Sequence, residues 1–149
     1  MSYRPYQAII NEASGNSNRI RSNLRNDSGS TIPKLTPVCL NTSGKLKLID
    51  VAVQNDALKF VGITENDIPN ASFGNIVTNG KIENITTSFD FGDYVYVSKA
   101  GGLTNILPSE GVDGFVSEDY VLRVGVISQN ETNPLNKDLI INMTIVGQV

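Results

Sequence analysis

The chain is predicted to be all-β, a small β-barrel or β-sandwich built from hairpins with an extended N-terminal arm. Three observations predict it. Residues 74–106 read as strand–turn–strand units, with Asn79-Gly80 and Gly101-Gly102 between apolar-alternating runs. No segment carries the 3.6-residue periodicity of a helix over ten or more positions. Turn-forming residues recur at short intervals from Ile32 onward, the spacing of a small barrel or sandwich.

Residues 1–33 form the predicted arm and residues 34–149 the predicted domain. The arm contains two turn-former clusters, Ala13 to Asn18 and Asn26 to Thr31, around the weakly alternating Arg19-Ile20-Arg21-Ser22-Asn23-Leu24-Arg25. Its apolar anchors Tyr3, Tyr6, Ile9, Ile10, Ile20 and Leu24 are too sparse for a core of their own. Either a flexible terminus or a strand added to a neighbouring subunit fits that pattern.

The first domain hairpin is predicted from Lys34–Leu40 and Lys45–Asp50, joined by Asn41-Thr42-Ser43-Gly44. Strict alternation expects Leu46 and Leu48 on one face and Lys45 and Lys47 on the other. A strand over Ala57–Thr64 follows. The stretch Asn66–Ser72 is a loop, because Pro69 disfavours helical geometry at Ile68 and cannot donate to a ladder. A hairpin turning at Asn79-Gly80 comes next, then one pairing Phe91–Ser98 with Leu103–Ile106. The turn-rich stretch 107–114 leads to Tyr120–Ser128, almost continuously apolar and expected to be the most buried strand. Asp138–Val146 closes the fold.

Composition narrows the chemistry. The 149 residues are 40% hydrophobic and 18% charged, a folded single-domain profile rather than a disordered one. Histidine is absent, which removes the commonest general base, nucleophile activator and zinc ligand. The single cysteine, Cys39, lies in the apolar run Pro37-Val38-Cys39-Leu40, so it is expected to be a buried structural thiol, with no intramolecular disulfide. Asp90, Asp93, Asp113, Glu118 and Asp119 lack the spacing of a calcium loop. Asp90-Phe91-Gly92 matches a kinase motif in letters alone, and Lys99-Ala100-Gly101-Gly102 has no helix behind it to hold phosphate. A carboxylate pair for glycoside hydrolysis lacks the aromatic platforms that sugar rings need, with 7% aromatic residues and no Trp. No catalytic residue, cofactor or metal is therefore expected. No apolar run reaches the roughly 20 residues that span a bilayer, and Met1 to Tyr6 is not followed by a signal-peptide core. Assembly in a cytosol is the expectation.

The net charge of −3 hides an asymmetry. Residues 1–34 hold five basic and two acidic groups, a net +3, whereas the remainder holds seven basic and thirteen acidic groups, a net −6. Three net charges are a thin footprint for nucleic acid, and docking on an acidic protein surface explains them equally well. Arg19, Arg21 and Arg25, with Tyr3 and Tyr6, are the candidate partner-binding residues.

From about Asp27 to Val149 the order of motifs resembles the small all-β virion modules of tailed bacteriophages, the capsid-decoration, head-fibre and tail-fibre-base proteins. Gly29-Ser30-Thr31-Ile32-Pro33-Lys34-Leu35-Thr36-Pro37-Val38 is similar to their entry strand, and Phe60-Val61-Gly62-Ile63-Thr64 to the strand before an acidic turn. Asn79-Gly80 introduces Ile82-Glu83-Asn84-Ile85. Gly92-Asp93-Tyr94-Val95-Tyr96-Val97-Ser98 with Gly101-Gly102-Leu103-Thr104 resembles their Gly-Asp-x-Val-Tyr hairpin, and Val124 to Ile127 and Ile145 to Gly147 their closing strands. The resemblance implies a non-enzymatic virion protein, commonly a homotrimer, attached through its N-terminal segment to a major capsid protein or a tail or fibre component. A receptor- or glycan-binding module using loops 65–73 and 107–119 is the alternative.

Overall fold

The fold is seen in a computed structural model, in which residues 19–149 are described. Among the described residues, nine antiparallel strands and one five-residue helix follow in the order β1 (Arg19–Asn26), β2 (Pro37–Leu40), β3 (Leu46–Leu48), α1 (Gln54–Leu58), β4 (Phe60–Thr64), β5 (Ser72–Ile85), β6 (Tyr94–Val97), β7 (Leu103–Thr104), β8 (Tyr120–Gln129) and β9 (Lys137–Gln148). The all-β expectation holds. The strands form one continuous sheet, β3-β2-β4-β5-β9-β8-β6-β7, with β1 added alongside β5, and the sheet does not close into a barrel.

The fourteen-residue β5 organises the molecule. Ile76 pairs with both Ser22 and Thr64, and Val77 with both Arg21 and Ile63, so β1 and β4 flank opposite edges of β5. Gly80 pairs with Arg19 and with Ile141, so β9 takes over from β4 along the same edge. The expected hairpin at Asn79-Gly80 is therefore absent, and the chain runs on as strand to Ile85. Gly80 does adopt the positive φ of 100° that its type permits, but spends it at the handover between partners, where a strand must bend.

Two cores occupy opposite faces. Alternation sends Ile76 into a small cluster with Ile32, Val38, Leu46 and Ile68, while Val77 joins the large cluster built on Cys39, Ile63, Ile82, Val95, Leu122, Val124 and Leu139. Val38 and Cys39 split between the two clusters in the same way. β8 lies between β9 and β6 and buries Val121, Leu122, Val124, Gly125 and Ile127, as its apolar run predicts. The hairpins β2–β3 and β6–β7 also form as expected, through Leu40 opposite Leu46 and Val97 opposite Leu103.

Leu46 and Leu48 lie opposite Leu40 and Val38 and so share a face as alternation expects, but Leu48 is 41% exposed where the short edge strand ends. Two local expectations fail. Residues 54–58 are helical, so the strand begins at Phe60 rather than at Ala57. The boundary drawn at residue 33 cuts through folded structure: Arg19–Asn26 pairs along β5 of its own chain, and Ile32 is 1% exposed and bridges to Ile68. Residues 1–18 of the predicted arm lie outside the described residues.

Candidate functional site: the β1 strip and an apolar cavity

Three candidate arginines lie on β1, and the sheet register places each opposite a β5 residue: Arg19 opposite Gly80, Arg21 opposite Val77 and Arg25 opposite Phe73, with Asn23 opposite Asn75 between the last two. Arg21 grips Glu65 with two guanidinium nitrogens, Nε donating to Oε2 at 2.5 Å and Nη2 to Oε1 at 2.9 Å. Arg19 reaches the same carboxylate at 3.4 Å. The bidentate bond to Arg21, reinforced by the positive charge of both arginines, holds the Glu65 carboxyl below the usual carboxylate range. Arg25 donates to Asp27 at 2.8 Å and lies over the Phe73 ring at 5.8 Å, and Asp27 also binds Lys45 at 2.7 Å. Asn23 donates its amide to Asn75 at 3.1 Å.

Arg19 and Arg21 thus share Glu65 while Arg25 pairs with Asp27, so each has an acidic partner within its own chain. Glu65 was invisible as that partner because 44 residues separate it from Arg21. Tyr3 and Tyr6 lie outside the described residues. β1 pairs with β5 alone among the described strands, so no described strand takes up the main-chain donors and acceptors of its other edge. Phe73, 61% exposed, sits beside that strip.

Comparison with family models, with curated proteins and with solved structures returns no match for this chain. The site must therefore be read from its own chemistry. Cys39 is fully buried, and burial, helped by the nearby Asp56 charge, pushes its thiol up to about 11. Among the described residues no three His, Cys, Asp or Glu side chains gather to hold a metal ion, and no helix is long and apolar enough to cross a membrane.

A second feature had no signal in the sequence. A cavity of about 190 Å³ opens at one end of the large core. Ile85, Val95, Ile127 and Leu139 form its floor, and Leu35, Leu103 and Phe89 its half-buried walls. Thr86 and Thr87 are the polar residues of its lining.

Two strained positions shape these walls. Leu35 sits at φ 61°, in a left-handed conformation that non-glycine residues rarely adopt. A buried hydroxyl network fixes it there. Leu35 N donates to Thr64 O at 3.0 Å, Thr36 N donates to Thr64 Oγ1 at 2.9 Å, and both threonine hydroxyls donate to Pro33 O at 2.7 Å. Asn84, at φ 55°, occupies the register break between Ile82 and Ile85 that aims Ile85 into the cavity. Asn84 N donates to the fully buried Asp138 at 2.9 Å, and the Asn130 amide binds the same carboxylate at 3.1 Å.

Proposed function

We propose that this protein is a non-enzymatic bacteriophage virion structural protein, a capsid-decoration or fibre-base module that attaches through its N-terminal region and assembles as a homotrimer. The observation that carries the reading is the edge of β1 that no described strand pairs. Alternate residues of an antiparallel strand turn their main-chain groups to each edge, so about half of the eight residues of β1 present N–H and C=O groups there. Strand addition along such an edge gains affinity with little demand on sequence, and trimeric assembly multiplies weak contacts into avidity. The motif order from Asp27 to Val149 supports the same reading, as does a sequence without histidine.

This reading places attachment on main chain more than on charge. Arg19 and Arg21 engage Glu65 and Arg25 engages Asp27, so the β1 strip offers a partner its main chain and the exposed Phe73 ring more than free positive charge. A receptor-binding role is the second reading, favoured by Leu107 and Val116, each more than half exposed in the 107–119 loop.

Electron microscopy with an antibody against this chain tests the proposal. Regular labelling of intact virions is expected, and purified virions that carry none of the chain would overturn it. Light scattering on the full chain is expected to give three times the 16.1 kDa subunit mass. Binding of the isolated protein to host cells without virions would move the reading to the receptor module.

A further inference from the structure

The structure assigns a binding site to the apolar cavity, for one uncharged aromatic ring of phenyl to indole size. Its lining carries no charged residue, so an ionised ligand would lose its hydration without compensation. Its floor is closed, with Val95 and Leu139 wholly buried and Ile127 2% exposed. The exposed Thr86, with the partly buried Leu35, Thr87 and Leu103 beside it, leaves a mouth. The volume of about 190 Å³ exceeds the roughly 150 Å³ at which an apolar cavity admits benzene.

A packing defect would be expected to relax, since unfilled apolar volume costs stability in proportion to its size. Here relaxation is blocked from two sides. Leu35 and Asn84 are held in left-handed conformations by the Thr36–Thr64–Pro33 hydroxyl network and by the buried Asp138–Asn130 pair. Residues kept in sparsely populated conformations by an over-determined surrounding are a mark of ligand-holding positions. The walls are therefore set before a ring arrives, which lowers the ordering cost of binding. The ring's source is either a free small aromatic molecule or an aromatic side chain on a partner, and the chemistry of recognition is the same for both.

Methyl NMR of the full chain tests the site, with benzene, N-acetyl-phenylalaninamide and benzoate as probes. Saturable shifts are expected at the methyls of Leu35, Ile85, Val95, Leu103, Ile127 and Leu139 with benzene, and none with benzoate. Parallel shifts with the capped phenylalanine identify the ring as a side-chain anchor, whereas benzene alone identifies a free small molecule. If neither neutral probe moves these methyls, the assignment is wrong. Leu103→Phe fills the cavity and is expected to abolish saturation at unchanged or higher Tm, and shifts that persist in it would place binding elsewhere and overturn the site. Should that variant fail to fold, Thr86→Trp closes the mouth from its exposed side and is read in the same way.

Discussion

Gly125 shows how a single atom constrains this sheet. A Cβ built there would lie 1.7 Å from the carbonyl oxygen of Ile140, on the neighbouring strand. That oxygen belongs to backbone, which cannot swing aside as a side chain end does. Gly125→Ala should destabilise the protein by about 1–3 kcal/mol or more, the range for overpacking a tight core, and lower the Tm in a thermal melt. Cys39 is the second residue-scale case. With its thiol pushed up to about 11 and no exposed surface, its alkylation by iodoacetamide at pH 8 should be slower than that of the unfolded chain by roughly a hundredfold or more. Equal labelling rates with and without urea would contradict the burial.

At the scale of elements, β1 is the strand whose attachment depends most on electrostatics. It gives the small core only the partly buried Leu24, while Ile20 is 62% exposed. The Glu65 carboxyl is depressed in the folded state by Arg21 and Arg19. Its contribution is thus fully present above the unfolded value near 4.3 and is lost as pH falls through the lower folded value. Hydrogen exchange at β1 amides, corrected for intrinsic rates, should accelerate relative to β8 between pH 6 and pH 3. Glu65→Gln should bring the same loosening at pH 6 and flatten the pH response. The boundary of the element has its own consequence. A chain beginning at Arg19 keeps β1 and Ile32 and should retain the β-sheet circular dichroism, whereas one beginning at Lys34 loses both and should not fold.

Across the whole molecule, β5 ties two cores into one cooperative unit. Ile76 and Val77 are adjacent in sequence, both wholly buried, and on opposite faces. Damage to the small core should therefore unfold the large one as well. Ile76→Ala is expected to cost about 2–5 kcal/mol, within a single urea transition seen alike by far-ultraviolet circular dichroism and tyrosine fluorescence. Two separated transitions would show instead that the cores unfold independently.

Local chemistry alone determined the fold class, the hairpins at 37–48 and 94–104, the buried strand at 120–129 and the buried thiol. Each rests on interactions between near neighbours: period-two alternation, turn residues with positive φ, and an apolar run too short for anything but a strand. What only the tertiary structure decided depends on residues far apart. Asn79-Gly80 is as good a hairpin turn as any in this chain, yet it bends a through-running strand because β4 and β9 both claim the same edge of β5. Arg19 and Arg21 face Glu65 only because β1 folds back along β5, whereas the pair of Arg25 with Asp27 is local. The cavity exists because Leu35 and Ile85, fifty positions apart, are aimed at one point by strained backbone and buried polar anchors. Turn propensity states what a residue permits, and long-range strand pairing decides where that permission is used.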